Sequence, residues 1–62
     1  MKTFGKKGKY KIHLINGMGN VTECHYFTNE KAFNNMVYSL DNDQLFKAYI
    51  NSELHCWHYK VA

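Results

Sequence analysis

The chain predicts one α+β domain, a β-β-α-β-β antiparallel sheet with a single amphipathic helix packed on one face. Three observations carry that expectation. Two stretches, residues 9–27 and 45–60, alternate apolar and polar side chains with the period of two that marks half-buried strands. Each is interrupted by a short run of turn-forming residues. Between them lies one segment whose apolar positions recur at helical spacing.

In the first stretch Tyr10, Ile12 and Leu14 alternate with Lys9, Lys11 and His13. Asn16-Gly17-Met18-Gly19-Asn20 follows, a cluster tolerant of positive φ that predicts a hairpin turn. A second strand then runs from Val21 to Phe27. With Gly17-Met18-Gly19 as the loop, Leu14 faces Thr22, Ile12 faces Cys24 and Tyr10 faces Tyr26. That register gathers the apolar side chains and sends Lys11, His13, Ile15, Glu23 and His25 to the other face.

Thr28 reads as the helix N-cap, with Glu30 suited to the positive end of the helix. Ala32, Phe33, Met36, Val37 and Leu40 form one stripe, while Asn34, Asn35, Tyr38 and Ser39 fall elsewhere on the wheel. Asp41-Asn42-Asp43 ends the helix and turns the chain. In the closing hairpin Phe46, Ala48 and Ile50 alternate with Leu45, Lys47 and Tyr49. A two-residue loop near Asn51-Ser52-Glu53 brings the first three to the same face as His55, Trp57 and Tyr59. Trp57 is then expected beneath the helix, near Phe33 and Val37. Residues 1–8, with Gly5 and Gly8 bracketing Lys6-Lys7, read as a flexible basic arm outside the domain, which spans 9–62.

A chain of 62 residues hides only about 60% of its unfolded surface, so its stability margin is thin. Its 45% apolar content and ten aromatic residues nevertheless suffice for a core and exclude a disordered tail. The basic start lacks the apolar run of a secretion signal, and no stretch approaches the ~20 apolar residues of a membrane span. Two cysteines, Cys24 and Cys56, are sparse for a secreted disulfide scaffold. The expectation is a cytoplasmic protein that does not engage membranes, its two thiols free, with a Cys24–Cys56 disulfide as the alternative.

Zinc binding would draw on Cys24-His25 and His55-Cys56-Trp57-His58. Neighbouring strand residues point to opposite faces, so Cys24 and His25 do not easily bind one ion. Only Cys56 and His58 share a face within their strand, and no CxxC or HxxxH spacing is present. Nucleophilic catalysis by either thiol would need an activating histidine and a walled pocket that these short loops do not build. Asp41 and Asp43 read as solvated turn residues. Gly17-Met18-Gly19 lacks the lysine and the strand–loop–helix setting of a phosphate loop. Neither metal, cofactor nor catalysis is expected.

Binding is the remaining class. A helix on one side leaves the other sheet face open to solvent or a partner. Lys11, His13, His25, Tyr49 and His58 are the expected partner-binding residues, and edge-strand pairing would also suit a homodimer. The alternative uses the lysines of the arm. All eight basic residues are lysines, and Lys2, Lys6, Lys7 and Lys9 precede every acid in the chain. With sheet aromatics they suit single-stranded nucleic acid. The absence of arginine argues against base-specific recognition.

The helix entry Tyr26-Phe27-Thr28-Asn29-Glu30-Lys31-Ala32 and the closing turn Tyr49-Ile50-Asn51-Ser52-Glu53-Leu54 resemble those of small phage-encoded accessory proteins, including anti-CRISPR and host-takeover inhibitors. The likeness is one of pattern over roughly residues 9–61 and transfers no functional residue. It implies a protein that binds a larger host protein factor and blocks it.

Overall fold

The computed structural model describes residues 1–58, Trp57 and His58 as backbone only. The domain is α+β, one helix on a five-stranded sheet. Its elements are β1 (Lys2–Phe4), β2 (Tyr10–Ile15), β3 (Val21–Phe27), α1 (Glu30–Ser39), β4 (Leu45–Ile50) and β5 (Glu53–His58). The sheet order is β1-β3-β2-β4-β5. β2 pairs antiparallel with β3 and β4 with β5 as hairpins, and β2 and β4 join the two hairpins, also antiparallel.

β1 departs from the expected arm and makes the sheet mixed. Lys2, Thr3 and Phe4 pair in parallel with Glu23, Cys24 and His25. Glycine explains how the chain reaches β2 from there. The segment 5–9 crosses the C-terminal end of β3, and Gly5, at φ +79°, lies so close that a Cβ would sit 2.5 Å from the Tyr26 carbonyl oxygen. A Cβ on Gly8 would meet the Phe27 carbonyl oxygen at 2.7 Å. Only glycine fits both crossings. No side chain of β1 is buried.

The first hairpin turns where the pattern places it. Asn16 and Asn20 close the loop, with the Asn16 amide donating to the Asn20 carbonyl at 2.9 Å. The Asn16 side-chain oxygen accepts from the Met18 and Asn20 amides, and Gly19 takes φ +86°. The strands then slip. Ile15 pairs with Val21, but Leu14 pairs with Glu23, leaving Thr22 as an extra residue. Such a bulge flips every later side chain of β3 relative to a regular ladder. Ile12 therefore pairs with His25 and His13 with Cys24, correcting the expected pairs Ile12–Cys24 and Tyr10–Tyr26.

The second hairpin repeats this device. Asn51 and Ser52 both adopt positive φ (54° and 68°), the two-residue turn that matches strand twist. Tyr49 pairs with Leu54, but Ala48 stands opposite Cys56, leaving His55 as an extra residue. Trp57 consequently occupies the register position opposite Lys47, and His58 that opposite Phe46. The expected packing of the Trp57, His58 and Tyr59 side chains lies outside the described residues.

Asn29, one residue beyond the expected Thr28, caps the helix. Its φ of −120° and ψ of 125° are extended, and its side-chain oxygen accepts from the Lys31 and Ala32 amides. The apolar stripe lies on β2 and β3. Phe33 is 1% exposed and packs with Tyr10, Ile12 and Ala48, while Leu14, Phe27, Met36, Val37, Phe46, Ile50 and Cys56 surround them. The Tyr10 and Phe33 ring centroids are 5.0 Å apart. Ala32, counted in the stripe by spacing, is exposed.

Candidate functional site

Residues paired across adjacent strands share a face, so the registers assign the sheet surface opposite the helix. Its first row is Tyr26–Lys11–Tyr49 and its second is Cys24–His13–Lys47. Val21, Ile15 and Leu45 form a third. Lys11 and His13 reach this face because they alternate with the core residues Tyr10, Ile12 and Leu14. Tyr49 reaches it by the same alternation against Ala48 and Ile50. Tyr26 arrives only because the Thr22 bulge inverts β3.

The side chains of this face interact closely. The Lys11 Nζ lies 4.8 Å from the centre of the Tyr49 ring, a cation–π distance. The His13 and Tyr49 rings are 5.1 Å apart and inclined by 59°. Burial, and then the charges of Lys11 and Lys47, lower His13 below the ordinary histidine value of 6.5. The neighbouring Cys24, and then burial, raise the Tyr26 hydroxyl above the ordinary tyrosine range. Ile15 and Leu45 are buried at one end of the face, where the exposed Met18 lines a shallow groove with them. None of the described strand residues on this face is acidic.

Three of the expected partner-binding residues, Lys11, His13 and Tyr49, therefore stand together. His25 does not join them. The bulge places it on the helix side, where its ring stacks on Phe4 and its Nε2 meets the Glu23 carboxylate at 2.9 Å. The expected role of the His58 side chain lies outside the described residues. Tyr26 and Lys47 join the face although sequence reasoning passes over them. Lys47 shows the correct alternation in β4, whereas Tyr26 has no local signal once the bulge is unknown.

The lysines of the nucleic-acid alternative are dispersed. Lys2 pairs with Glu23 in a helix-side row, and the Lys9 Nζ lies 5.6 Å from the Tyr10 ring. Lys6 and Lys7 sit exposed in the crossing segment, at the end of the sheet nearest the Tyr26–Lys11–Tyr49 row.

The cysteines are free and separated by the sheet. Cys24 is 1% exposed in the open-face row of His13, and Cys56 packs against the helix-side core. Burial raises the Cys56 thiol above its ordinary value. Among the described residues no three His, Cys, Asp or Glu side chains converge as metal ligands, and no helix is long and apolar enough to cross a membrane. Compared with protein-family models, curated proteins and solved structures, the chain matches none.

Proposed function

We propose that this chain is a non-catalytic binding protein that engages a larger host protein factor through the open sheet face and inhibits or modulates it. The observation that carries the reading is the row Tyr26–Lys11–Tyr49, a lysine between two tyrosines on a surface that the helix leaves uncovered. Interface energy concentrates in a few aromatic anchors among polar neighbours, and this row with His13 has that composition. The pattern likeness to phage-encoded inhibitors directs the reading toward a host partner and a blocking action. Cys24 stands opposite His13, but its 1% exposure removes the thiol from reach of a substrate, which favours binding over catalysis.

Affinity capture from host-cell lysate, with and without nuclease, tests this reading. Tyr49→Ala should weaken capture by more than about 1 kcal/mol, roughly fivefold or more, with the far-UV spectrum unchanged. Asn35→Ala, exposed on the helix, should leave capture intact. The opposite pair of results would move the binding face to the helix.

A second reading, a small nucleic-acid-binding accessory protein, is favoured by the placement of Lys6 and Lys7 beside a face whose described strand residues include no acid. Capture that disappears with nuclease and falls steeply with salt would select it.

A further inference from the structure

We propose that the surface matched to the open face is an acidic protein surface, carboxylates interspersed with apolar side chains, seated over Lys11, His13 and Lys47. This rests on the open-face reading above and assigns its partner a chemistry. Charge complementarity is the first argument. Lys11 and Lys47 flank His13, Lys6 and Lys7 stand at the adjoining end, and none of the described strand residues on the face is acidic. Lysine clusters of one sign steer an oppositely charged surface and reject a like-charged one.

At the apolar end, Met18, 86% exposed, lines a shallow groove with Ile15, Leu45 and Lys47, which fits a protein partner, since an interface core is apolar and its rim polar. Tyr49 argues in the same direction. Binding of single-stranded nucleic acid uses open ring faces as platforms for bases. Here Lys11 lies over the Tyr49 ring and His13 is inclined against that same ring, so the ring is packed among charged side chains. The bidentate arginine that favours phosphate recognition is also absent from the chain.

The geometry adds a proton to the association. His13 is faced by Lys11 on its own strand, by Cys24 and Tyr26 on β3, and by Lys47 and Tyr49 on β4. The lysine charges disfavour its imidazolium. Partner carboxylates against this cluster offset those charges and favour the imidazolium, so binding takes up a proton at His13. Affinity then rises as pH falls from about 7.5 toward 6, by no more than about tenfold per pH unit for one proton.

The test uses the full chain with three probes: a short peptide alternating glutamate and leucine, its lysine–leucine counterpart, and an oligothymidylate of similar length. The glutamate peptide should shift the backbone amide resonances of Lys11, His13 and Lys47, and the lysine peptide should not. Lys11→Glu should weaken the glutamate peptide by about tenfold or more. Acidification should tighten it in the native chain and leave His13→Asn unaffected. Binding of oligothymidylate alone at these residues would overturn the acidic-protein assignment while preserving the open face. Glutamate-peptide shifts confined to the helix would overturn both. Equal binding of the two peptides, or no binding of either, would overturn the charge-matched partner and leave the Tyr49→Ala capture experiment to judge the face itself.

Discussion

Phe4 stacks on His25, their ring centroids 4.5 Å apart and their planes 10° from parallel, while His25 also meets the Glu23 carboxylate at 2.9 Å. This contact holds the side chains of β1 to β3, because the strand itself buries nothing. The next residue, Gly5, is the point where the chain leaves β3.

Gly5→Ala should therefore destabilise the domain. Its φ of +79° is costly for alanine, and the added methyl would stand 2.5 Å from the Tyr26 carbonyl oxygen. A loss of about 1–3 kcal/mol is expected. Each kcal/mol lowers the melting temperature by about 4–8 °C in a domain of this size. Thermal unfolding of Gly5→Ala beside Gly17→Ala makes the comparison, since a Cβ on Gly17 meets nothing within 4 Å. Equal melting of the two variants would remove the crossing over β3.

Phe33 is the largest buried side chain of the helix and touches the centre of the sheet core. Phe33→Ala should cost about 3–5 kcal/mol, which is much of the stability of a small domain. Tyr38, 84% exposed on the same helix, is the matched control, and Tyr38→Ala should stay within about 0.5 kcal/mol. Chemical denaturation reads both. A Phe33→Ala protein as stable as the control would place the helix on another face.

At the helix start, the cap is Asn29 and Thr28 precedes it. Asn29→Ala should cost about 1 kcal/mol, since the Lys31 and Ala32 amides lose their acceptor. Thr28→Ala should cost less. A larger loss at Thr28 would return the cap to the position that spacing alone suggests.

His13 makes stability depend on pH. Its folded-state value lies below the ordinary 6.5, so the unfolded chain binds more protons between the two values. The contribution is full above about 6.5 and is lost as pH falls through the depressed folded-state value. His13→Asn should flatten this acid-side decline in a series of denaturation curves. An unchanged profile in the variant would locate the sensitivity elsewhere.

Local chemistry explains how much of this fold is legible without coordinates. Gly19 and Asn51 specify their turns because glycine and asparagine accept positive φ more readily than other residues. Phe33, Met36 and Val37 specify the buried side of the helix by spacing alone. The alternation in β2 and β4 then places Lys11, His13 and Tyr49 on the opposite face.

By itself, then, the sequence determined the α+β class, both hairpins, the helix and three members of the candidate face. Tertiary structure decided the registers. In β3, Val21, Glu23, His25 and Phe27 alternate with Thr22, Cys24 and Tyr26, and each set mixes apolar with polar residues. Neither set is obliged to face the core, so alternation leaves the register open. The bulge at Thr22 resolves it by bringing Phe27 against Phe33, at a ring distance of 6.5 Å, and sending Tyr26 to the open face. Likewise, the extra residue at His55 turns Cys56 toward the core. β1 has only three exposed residues and no apolar pattern of its own. Its place comes from the free edge of β3, the Phe4–His25 stack and the room that Gly5 and Gly8 leave, relationships between residues far apart in the chain.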